Sequence, residues 1–232
     1  MPVAIITGAS KGLGRALAWA LAARGWDLVL DARGRQVLKE VAEAVAGHGG
    51  RVRALPGDVT DAGHRAELVL VARGLGGLDL VVNNAGILGA EPLVPLAGQP
   101  LDGFRAALET NVVAPLGLLQ EALPLLREAP AGAVINVSSD AAVEAYRTWG
   151  AYGATKAAVD RLSTVLSVEE PGLRVWWVDP GGMRTDMLAA AEPGEDLSRM
   201  PAPEEIAPAF LRLLDRRPVS GRYTAVALLE AL

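Results

Sequence analysis

Short apolar runs and amphipathic stretches alternate along this chain from its first residues almost to its last, and that alternation limits the folds open to it. Runs rich in Val, Ile and Leu at 3–7, 27–30, 51–56, 78–82, 133–137, 173–178 and, more weakly, 222–226 predict strands. Stretches of helical periodicity at 12–24, 36–47, 62–73, 104–127, 151–167 and 203–215 predict the helices between them. Strands that read as continuously apolar are buried on both faces, and a helical crossover between two of them makes the pair parallel and the connection right-handed. Six or seven strands joined in this way predict an α/β fold, a doubly wound parallel sheet with helices on both faces. With 51% of residues apolar and only 4% aromatic, the core is expected to consist mainly of Ala, Val and Leu. The chain of 232 residues is expected to form one domain over 1–232.

Composition removes several function classes. The net charge of -5 is spread along the chain without a Lys/Arg run, so nucleic acid is not an expected partner. The absence of cysteine excludes a disulfide framework, a thiolate metal site and a Cys nucleophile. His48 and His64 stand alone and read as solvated surface residues, so no metal site is expected. No apolar stretch reaches the roughly eighteen residues needed to span a bilayer. Met1-Pro2-Val3-Ala4-Ile5-Ile6 runs into a turn with no basic leader, so a cytoplasmic location without membrane contact is expected. The Gly/Pro/Ala-rich stretches 87–100 and 183–203 follow strand ends, where ligands bind in such sheets. They are expected to shape a substrate pocket, with a loop or lid at about 183–203; solvated surface loops are the alternative.

The first predicted strand ends in Thr7-Gly8-Ala9-Ser10-Lys11-Gly12-Leu13-Gly14, directly before an Ala/Leu-rich helix. Glycines suit a tight turn whose backbone N–H groups must approach a pyrophosphate, and the following helix N-terminus adds partial positive charge. The spacing is G-x3-G-x-G, not the general G-x-G-x-x-G, so placement between strand and helix carries the reading of a dinucleotide site. At the end of the second strand, Asp31 and Arg33 point in opposite directions: an acid pairs with a free ribose 2′-hydroxyl, whereas Arg grips a 2′-phosphate. Lys11, a second cation near the turn, tips the expectation to NADP(H), with NAD possible; a solvated surface charge is the alternative for Lys11 and Arg33.

Only three of the 22 basic residues are lysine, which makes Tyr152-Gly153-Ala154-Thr155-Lys156 conspicuous. Residues i and i+4 share a helix face, so a phenol and an ammonium project into the same cleft. A neighbouring ammonium favours the phenolate and is expected to lower the Tyr pKa towards a useful acid/base range. Upstream, Val137-Ser138-Ser139 closes the fifth strand and offers a hydroxyl to a carbonyl oxygen, and Asn83-Asn84-Ala85-Gly86 ends the fourth. Taken singly, each of these also reads as a turn cap.

Glycine turn, Asn-Asn-Ala-Gly, Ser-Ser and Tyr-x3-Lys, in this order after successive strands, resemble the short-chain dehydrogenase/reductase family over residues 3 to about 186. The resemblance implies a Rossmann-type parallel sheet and a dimer or tetramer formed through the helices at 104–127 and 151–167. It implies that Tyr152 is the general acid/base, that Lys156 contacts the ribose and lowers the Tyr pKa, and that Ser139 orients the substrate carbonyl. Asn111 matches the family's helix Asn that holds a water in the proton relay. For the cofactor it implies contacts from Gly8, Ser10, Lys11, Gly12, Leu13 and Gly14 in the glycine turn. Arg33 follows at the ribose, Asp58 and Val59 at the adenine, and Asn83, Ala85 and Gly86 along the adenosine. Pro180, Gly181 and Thr185 are implied to pack on the nicotinamide. The implied activity is hydride transfer between NADP(H) and a small-molecule carbonyl or alcohol; a non-catalytic nucleotide sensor on the same fold is the alternative. The tail departs from the family's Asp-Gly-Gly ending, since Ser220-Gly221-Arg222-Tyr223 leads into AVALLEAL. Tyr146, Trp149, Met183 and Met187 are candidates for an apolar pocket, with packing between loops as the alternative, and Trp176-Trp177 reads as core.

Overall fold

The computed structural model describes residues 1–230. Its strands are β1 (Val3–Ile6), β2 (Asp27–Ala32), β3 (Val52–Pro56), β4 (Leu80–Asn83), β5 (Ala133–Val137), β6 (Arg174–Asp179) and β7 (Gly221–Thr224). They form one sheet in the order β3-β2-β1-β4-β5-β6-β7, each pairing parallel. The chain winds outward from β1 in one direction, then returns to start again at β4, so the strand ends diverge between β1 and β4, the switch point where such sheets bind ligands.

The helices are α1 (Gly12–Ala22), α2 (Arg35–Val45), α3 (Ala62–Gly74), α4 (Leu101–Leu108), α5 (Ala114–Glu128), α6 (Gly150–Glu169), α7 (Asp186–Ala191), α8 (Pro203–Arg216) and α9 (Ala225–Glu230). Successive strand residues face opposite sides, and β1 shows the division. Ala4 and Ile6 join a layer with Leu17, Leu38, Phe210 and Leu228 from α1, α2, α8 and α9. Val3 and Ile5 join Leu68, Leu118 and Leu125 from α3 and α5 on the other face. Trp176 and Trp177 are both buried in β6, as read from the sequence.

Three expectations need correction. The helix expected over 104–127 is interrupted by a π-helical stretch at Glu109–Val113. Pro115 has no N–H to give to the carbonyl four residues back at Asn111, so the α ladder fails there and widens. The strand expected over 222–226 stops at Thr224, whose Oγ1 accepts a hydrogen bond from the Ala227 N–H at 3.2 Å and starts α9. The end of AVALLEAL, residues 231–232, lies outside the described residues. Within the expected loop 183–203 lies α7, capped by Thr185 Oγ1, which accepts from the Leu188 N–H at 3.3 Å.

Phe210 fixes α8 to the first layer and is almost wholly buried. Phe210→Ala is expected to lower unfolding stability by about 3–5 kcal/mol in urea titration, the usual cost of emptying a large aromatic site.

Candidate active site

The two halves of the sheet are stitched together where they part. The Thr7 Oγ1 hydroxyl at the end of β1 accepts the backbone N–H groups of Asn84 and Ala85, each at 3.0 Å, and donates to the Val82 carbonyl at 3.3 Å. Asn84 Nδ2 donates back to the carbonyls of Thr7 and Gly8 at 2.9 and 3.2 Å. Space explains the glycines: a Cβ at Gly14 would overlap the Gly8 carbonyl oxygen and the Asn84 amide. Gly12, at φ +51°, needs the left-handed backbone instead. The turn is thereby pressed onto the sheet, and the backbone at the start of α1 opens on a cleft of about 1020 Å³.

At the far side of that cleft, Ser139 leaves β5 and caps a short turn, accepting the Ala141 N–H at 3.2 Å while its Oγ donates to Asp140 Oδ1 at 2.9 Å. A Cβ at Gly153 would overlap the Ala141 carbonyl, so this glycine, inside the Tyr-x3-Lys spacing, lets α6 lie against the Ser139 turn. Tyr152 and Lys156 consequently face the cleft with Ser139. The Lys156 Nζ lies 5.5 Å from the centre of the Tyr152 ring and donates to the Val137 carbonyl at 2.7 Å. The π-helical stretch turns Asn111 inward: its amide brackets Ile87, accepting N–H at 2.8 Å and donating to the carbonyl at 2.9 Å, and also donates to Thr155 Oγ1 at 2.9 Å. Asn111 Oδ1 and Lys156 Nζ both approach Gly86, which has no side chain to part them.

Electrostatics differ from the expectation of a lowered Tyr pKa. Burial of Tyr152 pushes its pKa up, and the carboxylates of Asp140 and Asp179 push the same way. Burial also pulls Lys156 down to about 8, partly opposed by the Asp160 carboxylate. Desolvation therefore outweighs the mutual effect of phenol and ammonium in the protein by itself. Asp160 is in turn held by Ser138 Oγ and by Arg222 Nε at 3.1 Å, and Arg222 from β7 also donates to the Ser139 carbonyl at 2.9 Å.

The match to the short chain dehydrogenase model spans residues 2–196. The chain belongs to the short-chain dehydrogenase family. The oxidoreductase YciK of Escherichia coli, itself uncharacterised, is 33% identical over 228 residues, covering 94% of this chain and 89% of that one. A solved structure from Pseudomonas syringae described as a short chain dehydrogenase is 31% identical with TM-score 0.90, covering 96% of this chain and 93% of its own. Another from Shigella flexneri, complexed with NADP, is 31% identical with TM-score 0.89 and covers 97% of each chain. This protein is therefore an oxidoreductase built on the family's Rossmann-type sheet.

For this short-chain dehydrogenase, all but three of the site residues expected from sequence line the cleft. Gly14 and Asn111 stand behind it, the first as a packing glycine and the second as a brace. Asn83 is a correction: it lies inside the sheet and donates to Asn136 Oδ1 at 2.7 Å, while Asn84 lines the cleft in its place. Asn83 is the last residue of β4 and points into the sheet, whereas Asn84 already belongs to the turn that meets Thr7 and Gly8. His64 is a second correction, being only 9% exposed with its ring at 2.7 Å from Asp31. Lys11 lines the cleft but is also paired with Asp186 at the start of α7, at 2.7 Å. Tyr146, Trp149, Met183 and Met187 all line the cleft. Leu88, Leu93 and Ala191, from the two irregular stretches, pack with Tyr152 and Trp149 into a small apolar cluster beside it. Among the described residues no helix is long and apolar enough to cross a membrane, and no group of three or more His, Cys, Asp or Glu is placed to hold a metal ion.

Because Lys156 titrates near 8 folded and near 10.5 when exposed, the native state sheds this proton first, and this group makes stability rise with pH between those values. Below about 8 the full cost of burying the ammonium is borne. Lys156→Met is expected to be more stable relative to wild type at pH 7 than at pH 10, measured by urea unfolding at both.

Proposed function

We propose that the enzyme transfers hydride between NADP(H) and a small-molecule carbonyl or alcohol, with Tyr152 as the general acid/base. The observation that carries this is the convergence of Ser139, Tyr152 and Lys156 on one cleft whose opposite wall is the glycine turn. The fit of a dinucleotide rests on that turn, where no Cβ can stand at Gly14 and the N-terminus of α1 opens to the cleft. At the β2 end, Arg33 lines the cleft beside Asp58, whose carboxyl its charge helps to hold below the usual range, and its guanidinium is placed to meet a 2′-phosphate. The Shigella flexneri relative complexed with NADP supports the same preference.

A bound nicotinamide dinucleotide supplies the hydride donor or acceptor. The protein's part is the proton and the placement. Ser139 Oγ holds the substrate oxygen, exchanging its present Asp140 partner for it. Tyr152, kept protonated by burial, gives its hydroxyl proton to that oxygen as negative charge develops in reduction, and takes it back in oxidation. The Lys156 ammonium beside the ring stabilises the phenolate left behind, and Asn111 braces the Ile87 backbone on one side and Thr155 of α6 on the other. Trp149, Met183 and Met187 supply an apolar wall for the substrate. The retention of both Tyr and Lys favours catalysis over nucleotide sensing.

Leu162, Val165 and Val168 along α6, with Val113 at the end of the π-helical stretch and Leu116 in α5, are exposed apolar residues that fit assembly with a second copy through these helices. One domain over 1–232 and a cytoplasmic setting complete the reading.

Tyr152→Phe is expected to bind NADPH within a few-fold of wild type while turnover on a responsive aldehyde or ketone falls by about two orders of magnitude or more, followed at 340 nm. Wild-type turnover in that variant would refute the role. Arg33→Ala is expected to weaken NADPH at least about tenfold, on the scale of a charge-assisted contact, with NADH little changed, read by fluorescence titration.

A further inference from the structure

The floor of the cleft beneath Arg33 contains an acid that ought to work against a 2′-phosphate. Asp31 stands one residue before the end of β2, where an acidic side chain in a dinucleotide fold meets the ribose 2′-hydroxyl. It lines the cleft, and its backbone carbonyl accepts the Ala9 N–H at 2.8 Å, which ties it to the glycine turn. Its carboxylate, however, is 2% exposed and is held at 2.7 Å by the His64 Nε2. Burial pushes the Asp31 pKa up and the His64 contact opposes this; when Asp31 is ionised it accepts the Nε2–H of His64.

The placement of His64 is over-determined. It sits in the first turn of α3, where its backbone N–H donates to the capping carboxylate of Asp61 at 2.8 Å. From there its ring crosses the backbone of Gly57, where any Cβ would overlap the imidazole. Gly57 has no positive φ, so its missing side chain serves space and not backbone conformation. The Gly57 N–H also donates to the Ala32 carbonyl at 3.1 Å, which fixes the loop against β2 and the ring against Asp31. Around the pair, Asp58 is turned onto Thr60, whose N–H and hydroxyl it accepts at 2.9 and 2.8 Å, and the Arg33 charge nearby also helps to hold its carboxyl below the usual range.

We propose that His64 is a specificity-determining residue, whose hydrogen bond holds Asp31 down and away from the ribose so that Arg33 reads the 2′ position. The inference rests on the dinucleotide reading above and extends it to a residue outside the glycine turn and outside the catalytic group. The physical reason is that an unpaired carboxylate at this depth would either swing out as a 2′-hydroxyl acceptor or repel a phosphate dianion across the low-dielectric floor. With the imidazole in place, one carboxylate oxygen is occupied and the acid stays down. The preference for a phosphorylated ribose is then shared between a cation that attracts and a histidine that removes an opposing acid.

Adenosine fragments test this without turnover. Binding of 2′,5′-ADP and 5′-AMP by calorimetry gives a preference ratio for the 2′-phosphate in each variant. In His64→Ala the ratio is expected to fall about tenfold or more, through loss of 2′,5′-ADP affinity with 5′-AMP unchanged or tighter. Adding Asp31→Asn to that variant is expected to restore most of the ratio, since the repelling charge is gone. An unchanged ratio in folded His64→Ala, or no restoration in the double variant, overturns the proposal. If His64→Ala does not fold, Asp31→Asn alone decides: a ratio within about twofold of wild type is expected where His64 already holds the acid away from the ribose, and a larger rise would show a free, repelling carboxylate and overturn it. A wild-type protein that binds neither fragment would overturn the dinucleotide reading itself and this inference with it. One that binds 5′-AMP more tightly than 2′,5′-ADP would overturn the NADP preference and with it the role given to His64, whereas an unchanged ratio in His64→Ala beside a wild type that prefers 2′,5′-ADP would overturn the His64 role alone.

Discussion

The hydroxyl of Thr7, shared between the backbone of β1 and the turn after β4, is the interaction on which the site depends. A doubly wound sheet must part somewhere, and here the strands that diverge are β1 and β4. Without a tie, the turns that leave them would move independently. Thr7 accepts two N–H groups from the second turn, and Asn84 returns two hydrogen bonds to the first. This pins the glycine turn at one height, and every wall of the cleft is measured from it: α1 through Gly14, the β2 end through the Ala9 to Asp31 hydrogen bond, and Gly86 with the groups behind it.

The half of the cleft that holds Ser139, Tyr152 and Lys156 is built on a different principle, close backbone approach reinforced by buried polar links. Gly153 lets α6 touch the Ser139 turn, and Arg222 reaches from β7 to the Ser139 carbonyl and to Asp160, one helical turn beyond Lys156. The unusual tail therefore contributes to the site from behind, where a carbonyl and a carboxylate would otherwise lie buried without a cation. Burial has a cost that the pKa directions reveal. Tyr152 is driven towards its neutral form and so is Lys156, because burial disfavours the ionised form of each.

Most of the architecture was legible because the signals are local. Apolar runs of four to six residues and intervening amphipathic stretches place β1 to β6 and the major helices within a few residues of where they lie. The failures share a cause, which is that a single side chain overrode the periodic signal. Pro115 widened a helix, Thr224 capped one where a strand was expected to continue, and Thr185 started a short one inside a stretch read as loop.

Site residues divide along the same line. Tyr152 and Lys156 follow from helical spacing, the glycines from the turn they make and the Ser138-Ser139 pair from its place at a strand end, with Ser139 chosen by the family resemblance, so residue order named the groups that meet at the cleft. What only the tertiary structure decided is which neighbours compensate which charges. That Asn84 and not Asn83 faces the cleft depends on where β4 ends and its turn meets Thr7, and that His64 lies under Asp31 depends on α3 docking beside β2 with a glycine between them. Residues 31 and 64 are remote in sequence, and no periodicity links them. Burial and charge pairing are properties of the packed chain, because they exist only once water has been excluded from both partners.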